Sequence, residues 1–193
     1  MINRIHILGG SGSGTTTLGN ELSKRLMWPH FDTDNYFWLP TENPFTQKRN
    51  VSERFDLMRN DLVSHEKWIL TGSLCGWGDI FIPYFDLVIF LWIPGEIRME
   101  RLKHREKERY GKEIDVGGKR YEESIKFLDW ASQYDNGGME IRSKVSHEKW
   151  ISELKCPVFR IEGDIESTVA DRVDKVIEHL RQIDLEVRPN DFL

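Results

Sequence analysis

Hydrophobic residues form short apolar runs that alternate with longer stretches in which only one face is apolar. The runs lie at residues 4–8, 29–32, 68–71, 86–93 and 158–161. The run from Leu87 to Ile93 is uninterrupted, which is typical of a parallel strand that helices cover on both faces. Five such runs separated by helical stretches predict an α/β protein with a doubly wound parallel sheet.

The stretches between these runs have the spacing of helices. Leu18, Leu22 and Leu26 recur every four residues and predict a helix over residues 15–27. Further helical stretches are predicted around 51–62, from about 96, at 121–134, at 139–152 and from 169 to 180. The Pro40-to-Pro44 stretch predicts a loop, and Gly163-Asp164 predicts a turn before the last helix.

Length and charge exclude several functional classes. A chain of 193 residues is the size of one compact domain, or of one domain with an inserted lid. Its 27 basic and 32 acidic side chains give a formal net charge of −5, which argues against a nucleic-acid-binding protein because such proteins usually carry a basic face. Charge varies along the chain, since residues 98–112 contain seven bases and three acids.

The sequence carries no signal for a membrane or a disulfide framework. The seven-residue apolar run at 87–93 is far shorter than the roughly 20 residues of a membrane helix. The first residues also lack a basic segment followed by an apolar one. We therefore expect a soluble, cytoplasmic protein with no membrane partner. Cys75 and Cys156 form no C-x-x-C pair, so no zinc site is predicted.

A glycine-rich loop between the first strand and the first helix fits the P-loop pattern G-x-x-x-x-G-K-[ST], except at the lysine. Glycines let successive backbone N–H groups point at a phosphate, and the helix N-terminus adds its dipole. The loop predicts ATP as a ligand, and Thr16 would place its hydroxyl on Mg²⁺. The candidate nucleotide-binding residues are Gly9, Gly10, Ser11, Gly12, Ser13, Gly14, Thr15, Thr16 and Thr17.

Thr15 occupies the lysine position of this pattern, and no Lys, Arg, Asp or Glu lies between Ile5 and Asn20. Losing one preorganised donor to developing charge typically lowers a rate by about 10²–10³. Either a cation reaches the site from another part of the chain, or the chemistry is slow.

An arginine-rich helix is the predicted source of that cation. Arg98, Arg101, Arg105 and Arg109 follow at i, i+3, i+7 and i+11, which places them on one helix face. Beside a P-loop this face predicts a phosphate clamp, with Arg101 and Arg105 as catalytic candidates. The alternative is a solvated helix face that neighbouring glutamates balance. The clamp belongs to a predicted lid at about residues 98–138, with glycines at 111, 117 and 118 as hinges.

Two carboxylates follow the second strand, at the edge of the sheet where doubly wound proteins bind ligands. Asp32 would orient Mg²⁺, and Asp34 would accept a proton from, or hydrogen-bond to, an attacking hydroxyl. The alternative for either residue is N-capping of a helix.

The following segment, at about residues 35–65, is rich in aromatic and then basic residues and predicts an acceptor-binding segment. Its aromatic rings would stack on an acceptor, and Arg49 and Arg54 would hold an acid group. Trp77 is a further acceptor-binding candidate in the loop after the third strand. Ser73 or Asp79 in the same loop would contact magnesium or acceptor, or would serve only the turn.

A dinucleotide-binding Rossmann domain is the competing interpretation of the glycines, because Asp32 lies about 20 residues beyond them, where an acid would hold a ribose. The G-x-G-x-x-G pattern is incomplete here. Thr15 or Thr17 stands where the third glycine is required, depending on the frame.

The loop Gly9–Thr16, Asp32-x-Asp34, Thr71-Gly72-Ser73, Phe85-Asp86 and the arginine-rich lid together resemble the P-loop small-molecule kinases. The sequence is similar to the adenylate kinase and shikimate kinase group, and most similar to uncharacterised bacterial adenylate-kinase-like proteins with a Gly-Ser-Gly-Thr loop. The resemblance implies a five-stranded parallel sheet of order 2-3-1-4-5 with a helical lid. It matches Asp32 to the aspartate near magnesium, Asp34 to the aspartate that meets the acceptor hydroxyl, and Arg101 and Arg105 to lid arginines.

These observations predict a single domain over residues 1–193 that transfers a phosphoryl group from ATP, with Mg²⁺, to a small-molecule or nucleotide acceptor. The competing function is a nucleotide-binding module or a slow NTPase. The segment 71–75 departs from both kinase families, so the acceptor stays open, as does the oligomeric state.

Overall fold

A computed structural model describes residues 1–163 and 166–187 of the chain, so Asp164 of the predicted turn lies outside the described residues. The strands are β1 (Arg4–Gly9), β2 (His30–Asp32), β3 (Trp68–Thr71), β4 (Leu87–Trp92) and β5 (Val158–Glu162). The α-helices are α1 (Thr15–Leu26), α2 (Thr33–Phe37), α3 (Val51–Val63), α4 (Gly95–Tyr110), α5 (Tyr121–Ser132), α6 (Lys144–Ser152) and α7 (Val169–Val187). Short 3-10 helices lie at Asp79–Tyr84 and Gly111–Ile114.

The five strands form one parallel sheet in the order β2-β3-β1-β4-β5. This confirms the predicted architecture, and it differs from the 3-2-1-4-5-6 order of a Rossmann domain. β1 lies at the centre, between β3 and β4. The carboxyl ends of β1, β2 and β3 therefore meet at one edge, where the P-loop, Asp32 and the segment after Thr71 come together.

Helices cover both faces of the sheet, because alternate residues of each strand point to opposite sides. Ile5 and Ile7 of β1 pack with Leu22 of α1 and Val176 of α7. On the other face, Leu8 belongs to a second cluster that includes buried aromatic rings. Strands buried on both faces explain why the run in β4 has no polar interruption.

Two helix boundaries differ from the prediction for local reasons. Residues 33–37, which are not among the predicted helices, form the short helix α2, because the side chain of Asp32 accepts a hydrogen bond from the backbone N–H of Asp34 and caps it. The stretch predicted as helical from 139 becomes helix only at Lys144. Ser143 and Ser146 form a capping box there, so residues 139–143 lie in a loop.

None of the helices in the described part of the chain is both long enough and apolar enough to cross a membrane. α4, with 16 residues, is strongly charged throughout.

Acid is expected to destabilise the fold through two buried histidines. Burial lowers the pKa of His6 and of His147 to about 3, so both are neutral in the folded protein. An unfolded histidine takes up a proton below pH 6.5, and each site should then remove about 1.4 kcal/mol of unfolding free energy per pH unit down to about pH 3. Above pH 6.5 this contribution to stability is fully present.

Urea unfolding at pH 7.5, 6, 5 and 4 measures the effect. A His6→Phe variant should show a shallower loss of unfolding free energy between pH 6 and 4 than the wild type. The control is His104→Gln, which removes a histidine from the protein surface beside Glu108 and leaves both buried histidines in place. Equal slopes for all three proteins would contradict the expectation.

Candidate functional site

The P-loop joins β1 to α1 with backbone conformations that only glycine adopts readily. Gly12 has φ 83° and Gly14 has φ 96°, and Gly14 is the N-cap residue of α1. The N–H of Ser13 donates to the carbonyl of Gly10 at 3.0 Å and tightens the turn. A Cβ on Gly14 would meet no atom within 4 Å, so this side of the loop is open.

The opposite side of the P-loop is packed tightly against the protein. A Cβ on Gly10 would lie 2.9 Å from the ring of Tyr134. A Cβ on Gly12 would lie 2.6 Å from the carbonyl oxygen of Arg98 in α4. Contacts below 3.0 Å force the neighbouring group to move, which is the Tyr134 ring for Gly10 and the α4 backbone for Gly12, so the packing favours glycine at both positions.

A Gly12→Ala substitution is expected to weaken nucleotide binding by at least tenfold, because strain at positive φ and the collision with the Arg98 carbonyl both distort the loop. Titration with a fluorescent ADP analogue in the presence of Mg²⁺ measures the loss. Gly117→Ala is the matched control, since Gly117 has φ 82° and open space around its Cα. Equal affinities for Gly12→Ala and the wild type would contradict the expectation.

Asp32 divides its two carboxylate oxygens between two tasks. Oδ1 accepts the α2 capping hydrogen bond from the backbone N–H of Asp34 at 3.0 Å. Oδ2 accepts from the hydroxyl of Thr16 at 2.8 Å and from that of Thr71 at 3.2 Å. The capping alternative is therefore realised at one oxygen, while the other faces the P-loop helix.

Thr71 was not among the predicted site residues, and it connects Asp32 to a short polar network. Its hydroxyl lies 2.9 Å from Nε2 of His30, whose Nδ1 lies 2.8 Å from the side-chain oxygen of Asn20. The Cα of Gly19 is held against Thr71 and His30, because a Cβ there would lie 2.3 Å from the Thr71 methyl. The sequence signal for Thr71 is its place at the carboxyl end of β3.

The donor set at this edge suits Mg²⁺. A threonine hydroxyl and a carboxylate are hard oxygen ligands of the kind that Mg²⁺ prefers. The described residues contain no cluster of three or more His, Cys, Asp or Glu side chains that could hold a metal alone.

Asp34 lies in the first turn of α2 and is exposed to solvent. The charges of Arg105 on α4 and of Arg142 after α5 act on it, and we call the space between these three side chains the cleft. Desolvation in this cleft raises the pKa of its carboxyl, and the charge of Asp32 raises it further. Arg142, a hydrogen bond from Trp38, and Arg105 act in the opposite direction and lower this pKa. The cleft therefore brings two guanidinium groups towards the predicted acceptor aspartate.

Arg105 on α4 is one of these two cations. Its side chain is exposed, but desolvation in the cleft and the charge of Arg109 lower its pKa, while Asp34 raises it. Its guanidinium carbon lies 5.8 Å from the centre of the Phe127 ring in α5. The structure thus brings Arg105 near Asp34, as a phosphate clamp requires. Arg101 is exposed one turn closer to the P-loop.

Arg142 was missed by the sequence analysis. It lies in the loop between α5 and α6, and its guanidinium carbon is 5.5 Å from the centre of the Trp130 ring. Its charge acts on Asp34, Cys75 and His147, which are far apart in sequence. No local pattern distinguishes it, because residues 139–152 were predicted as one continuous helix.

Arg98 does not belong to the exposed arginine face. Its side chain is fully buried and forms an ion pair with Asp135. The remaining three arginines stay on the surface of α4, and Arg109 lies 5.3 Å from the centre of the Phe45 ring. Helical periodicity alone could not separate Arg98 from them, because burial here comes from the P-loop that covers the first turn of α4.

The predicted acceptor-binding residues lie together but make contacts within the protein. Arg49 donates to the carbonyl oxygens of Tyr36 at 3.2 Å and Trp38 at 3.5 Å. The guanidinium of Arg54 stacks 3.9 Å from the centre of the Phe37 ring, and its Nε donates to the Arg49 carbonyl at 2.8 Å. These contacts hold the segment 35–65 in shape.

The loop after β3 is also tied down. The indole of Trp77 donates to the carbonyl of Ser73 at 3.0 Å, and the Ser73 hydroxyl lies 3.0 Å from Nε2 of His147. Asp79 accepts a hydrogen bond from the indole of Trp150 at 2.7 Å. Both Ser73 and Asp79 therefore have hydrogen-bond partners within the protein. Trp77 is half-buried, and the centre of its ring lies 5.4 Å from that of Phe37.

Sequence comparisons identify a family and a similar bacterial protein. The family model described as an AAA domain matches residues 5–126. The uncharacterized protein YqaC of Bacillus subtilis (strain 168) is 57% identical over 180 residues, which is 93% of this chain and 98% of the relative.

Solved structures share the fold at low sequence identity. A shikimate kinase from Acinetobacter baumannii in complex with shikimate has a TM-score of 0.55 and 19% identity, covering 96% of each chain. A shikimate kinase from Bacteroides thetaiotaomicron has a TM-score of 0.51 and 22% identity, covering 94% of this chain and 99% of that one. A gluconokinase from Sinorhizobium meliloti 1021 has a TM-score of 0.50 and 14% identity, covering 97% and 98%.

Proposed function

Since the chain belongs to the AAA domain family and has a P-loop kinase-like fold, we propose that it transfers the terminal phosphoryl group of ATP to a hydroxyl or phosphate oxygen of a small acceptor. The observation that carries this proposal is the 2.8 Å hydrogen bond between Thr16 and Asp32, with Asp34 in the adjoining turn. In this proposal the contact connects the loop that binds the phosphates to the residues that hold Mg²⁺, with the acceptor carboxylate in the next turn. The neighbours named as kinases of shikimate and gluconate support the same class.

Each residue of the site has a distinct role in this proposal. The P-loop residues from Gly9 to Thr17 bind the phosphates through backbone N–H groups that the loop itself does not use, as it uses that of Ser13. Thr16 and Asp32 hold Mg²⁺. The ion neutralises phosphate charge when it is bound. Asp34 orients the attacking oxygen of the acceptor and accepts its proton. Arg101 and Arg105 stabilise charge on the transferred group and supply the cation that Thr15 lacks.

The acceptor that this site suits best is a small molecule with an anionic group near the reacting oxygen. Arg142 lies beside Asp34 in the cleft, and an arginine fork binds carboxylate or phosphate through two hydrogen bonds. The guanidinium carbon of Arg54 lies 5.8 Å from the centre of the Trp77 ring, and its Nε donates to the Arg49 carbonyl, so we assign these three residues together to acceptor binding. A hydroxy acid or a nucleoside monophosphate meets this requirement.

The domain assignment follows from these roles. We propose one domain over residues 1–193, with an acceptor segment at about 35–65 and a lid at about 98–138. Within the P-loop kinases we place it in the adenylate kinase and shikimate kinase-like group, acting in the cytoplasm.

A screen for acceptor-dependent ADP release tests the proposal. The wild-type protein is incubated with ATP and Mg²⁺ and with nucleoside monophosphates, hydroxy acids or sugars in turn. Release at tens per second with one acceptor class supports a kinase and eliminates a slow NTPase. Nucleotide binding without turnover across the whole panel would instead favour the nucleotide-binding module that the missing lysine suggests.

A further inference from the structure

Arg98 is a buried cation whose hydrogen bonds join four parts of the fold. Its Nε donates to the carbonyl of Ile93 after β4 at 3.0 Å, and one terminal nitrogen donates to the carbonyl of Ser11 in the P-loop at 3.3 Å. The other terminal nitrogen donates to Oδ2 of Asp135, beyond α5. The guanidinium also lies 4.7 Å from the centre of the Tyr134 ring.

The backbone of α4 touches the P-loop at the same place. The carbonyl oxygen of Arg98 lies 2.6 Å from the position that a Cβ on Gly12 would take. Ser11 and Gly12 are therefore held by one residue, through a side-chain donor and a close backbone contact. The N–H groups of such a loop point inward at phosphate, so a clamp on its carbonyl side does not occupy those N–H groups.

A buried guanidinium is an unusual choice for a merely structural position. Replacing a buried ion pair by apolar residues of similar volume is often neutral or stabilising. Each of the three guanidinium nitrogens of Arg98 donates to an acceptor in a different segment of the chain. These bonds fix the relative positions of the three segments, which an apolar side chain would not do.

We propose that Arg98 is a positioning residue that clamps the P-loop to the first turn of α4, so that the loop and the base of the lid helix form one rigid unit. The inference rests on the proposed function, because it takes the P-loop as the phosphate site and α4 as the carrier of the lid arginines. Arg105 lies seven residues further along the helix, about 10 Å at 1.5 Å per residue. Arg98 then fixes the distance between Arg105 and phosphates bound in the P-loop. Any closure of the lid occurs beyond the first turn of α4.

Hydrogen–deuterium exchange of the nucleotide-free protein tests the clamp directly. Arg98→Met keeps the bulk of the stem and removes every donor. We expect amides in residues 9–16 and 93–99 to exchange about tenfold faster, as local opening becomes easier. Arg98→Lys keeps the charge but not the fork, and it should give an intermediate rate in both segments.

The matched control is Trp92→Phe. The indole of Trp92 donates to Oδ1 of Asp135 at 2.8 Å, so this change breaks a hydrogen bond to the same carboxylate and leaves the bond from Arg98 to Ser11 in place. We expect wild-type exchange in residues 9–16. If Arg98→Met does not fold, Arg98→Lys carries the test against the same control.

Titration with mant-ADP and Mg²⁺ adds a second measurement, in which Arg98→Met should bind about tenfold more weakly and Trp92→Phe as the wild type. Wild-type exchange in the Arg98 variants, or equally fast exchange in Trp92→Phe, would overturn the clamp. Fast exchange in the Arg98 variants together with no mant-ADP binding by the wild type would support the clamp and refute the proposed function.

Discussion

An Asp34→Asn variant is expected to lose turnover by about 10²–10⁴-fold while it still binds ATP. The amide keeps the size of the side chain but cannot accept the proton of the attacking hydroxyl. Asp34 does not contribute to the P-loop or to the hydrogen bond between Thr16 and Asp32, so nucleotide affinity should change by less than about twofold. Steady-state kcat with the acceptor found in the screen, and nucleotide titration, measure the two quantities.

The matched control for this variant is Asp56→Asn. Asp56 lies on the surface of α3, with its Oδ1 3.6 Å from Arg59. The substitution removes the same negative charge, but outside the cleft. Its turnover should stay within about twofold of the wild type. An Asp34→Asn enzyme with wild-type kcat would contradict the role assigned to this carboxylate.

The pH profile of the wild type provides an independent signature of Asp34. The group must be ionised to accept a proton, and partial desolvation together with the charge of Asp32 raises its pKa. Activity should therefore fall on the acid side at a higher pH than an ordinary aspartate would produce. This acid limb should be absent from the residual activity of Asp34→Asn.

Removal of the lid cation is the second large effect. Arg105→Ala is expected to lower turnover by about a hundredfold with little loss of ATP binding, because its guanidinium stabilises charge that develops only in the transition state. Its position supports this role, since the charge of Asp34 acts on Arg105 across the cleft. Single-turnover ADP formation at saturating ATP isolates the chemical step.

Lys103→Ala is the control for this experiment. Lys103 is exposed on α4, two residues from Arg105 and about 200° around the helix. Its replacement by alanine therefore removes one positive charge from the opposite side of the helix. Turnover close to that of the wild type is expected for this variant. Arg105→Ala with the activity of its parent would show that another group supplies the cation.

The fold could be predicted from the sequence because its signals are local. Apolar runs of strand length and the glycine-rich loop specify β1, the P-loop and α1 without any knowledge of distant contacts. The order of the sheet came from the resemblance to P-loop kinases, and the structure confirms it. The sequence also predicts that Thr16, Asp32 and Asp34 lie close together, because the carboxyl ends of neighbouring parallel strands meet at one edge of the sheet.

The rest of the site depends on tertiary placement. Arg98 has the same helical spacing as Arg105, but the P-loop buries the first turn of α4 and leaves the later turns exposed. Arg142 reaches the cleft only because the helix after it begins at Lys144 and leaves residue 142 in a loop. Neither fact is encoded in a pattern of nearby residues.

The proposed function requires a charge distribution that suits one small anion. The P-loop is formally neutral, and its missing lysine leaves the positive charge to arginines that reach the cleft from α4 and from the α5–α6 loop. The net charge of −5 is compatible with this arrangement, because the site needs a few directed cations and no extended basic face.

The fate of the terminal phosphoryl group tests the central claim most directly. Phosphorus-31 NMR of a reaction containing the wild-type protein, ATP, Mg²⁺ and the best acceptor follows every phosphate species at once. We predict a new phosphorylated-acceptor signal that grows at the same rate as ADP and is lost in Asp34→Asn. Growth of inorganic phosphate alone, at a rate independent of the acceptor, would contradict a kinase.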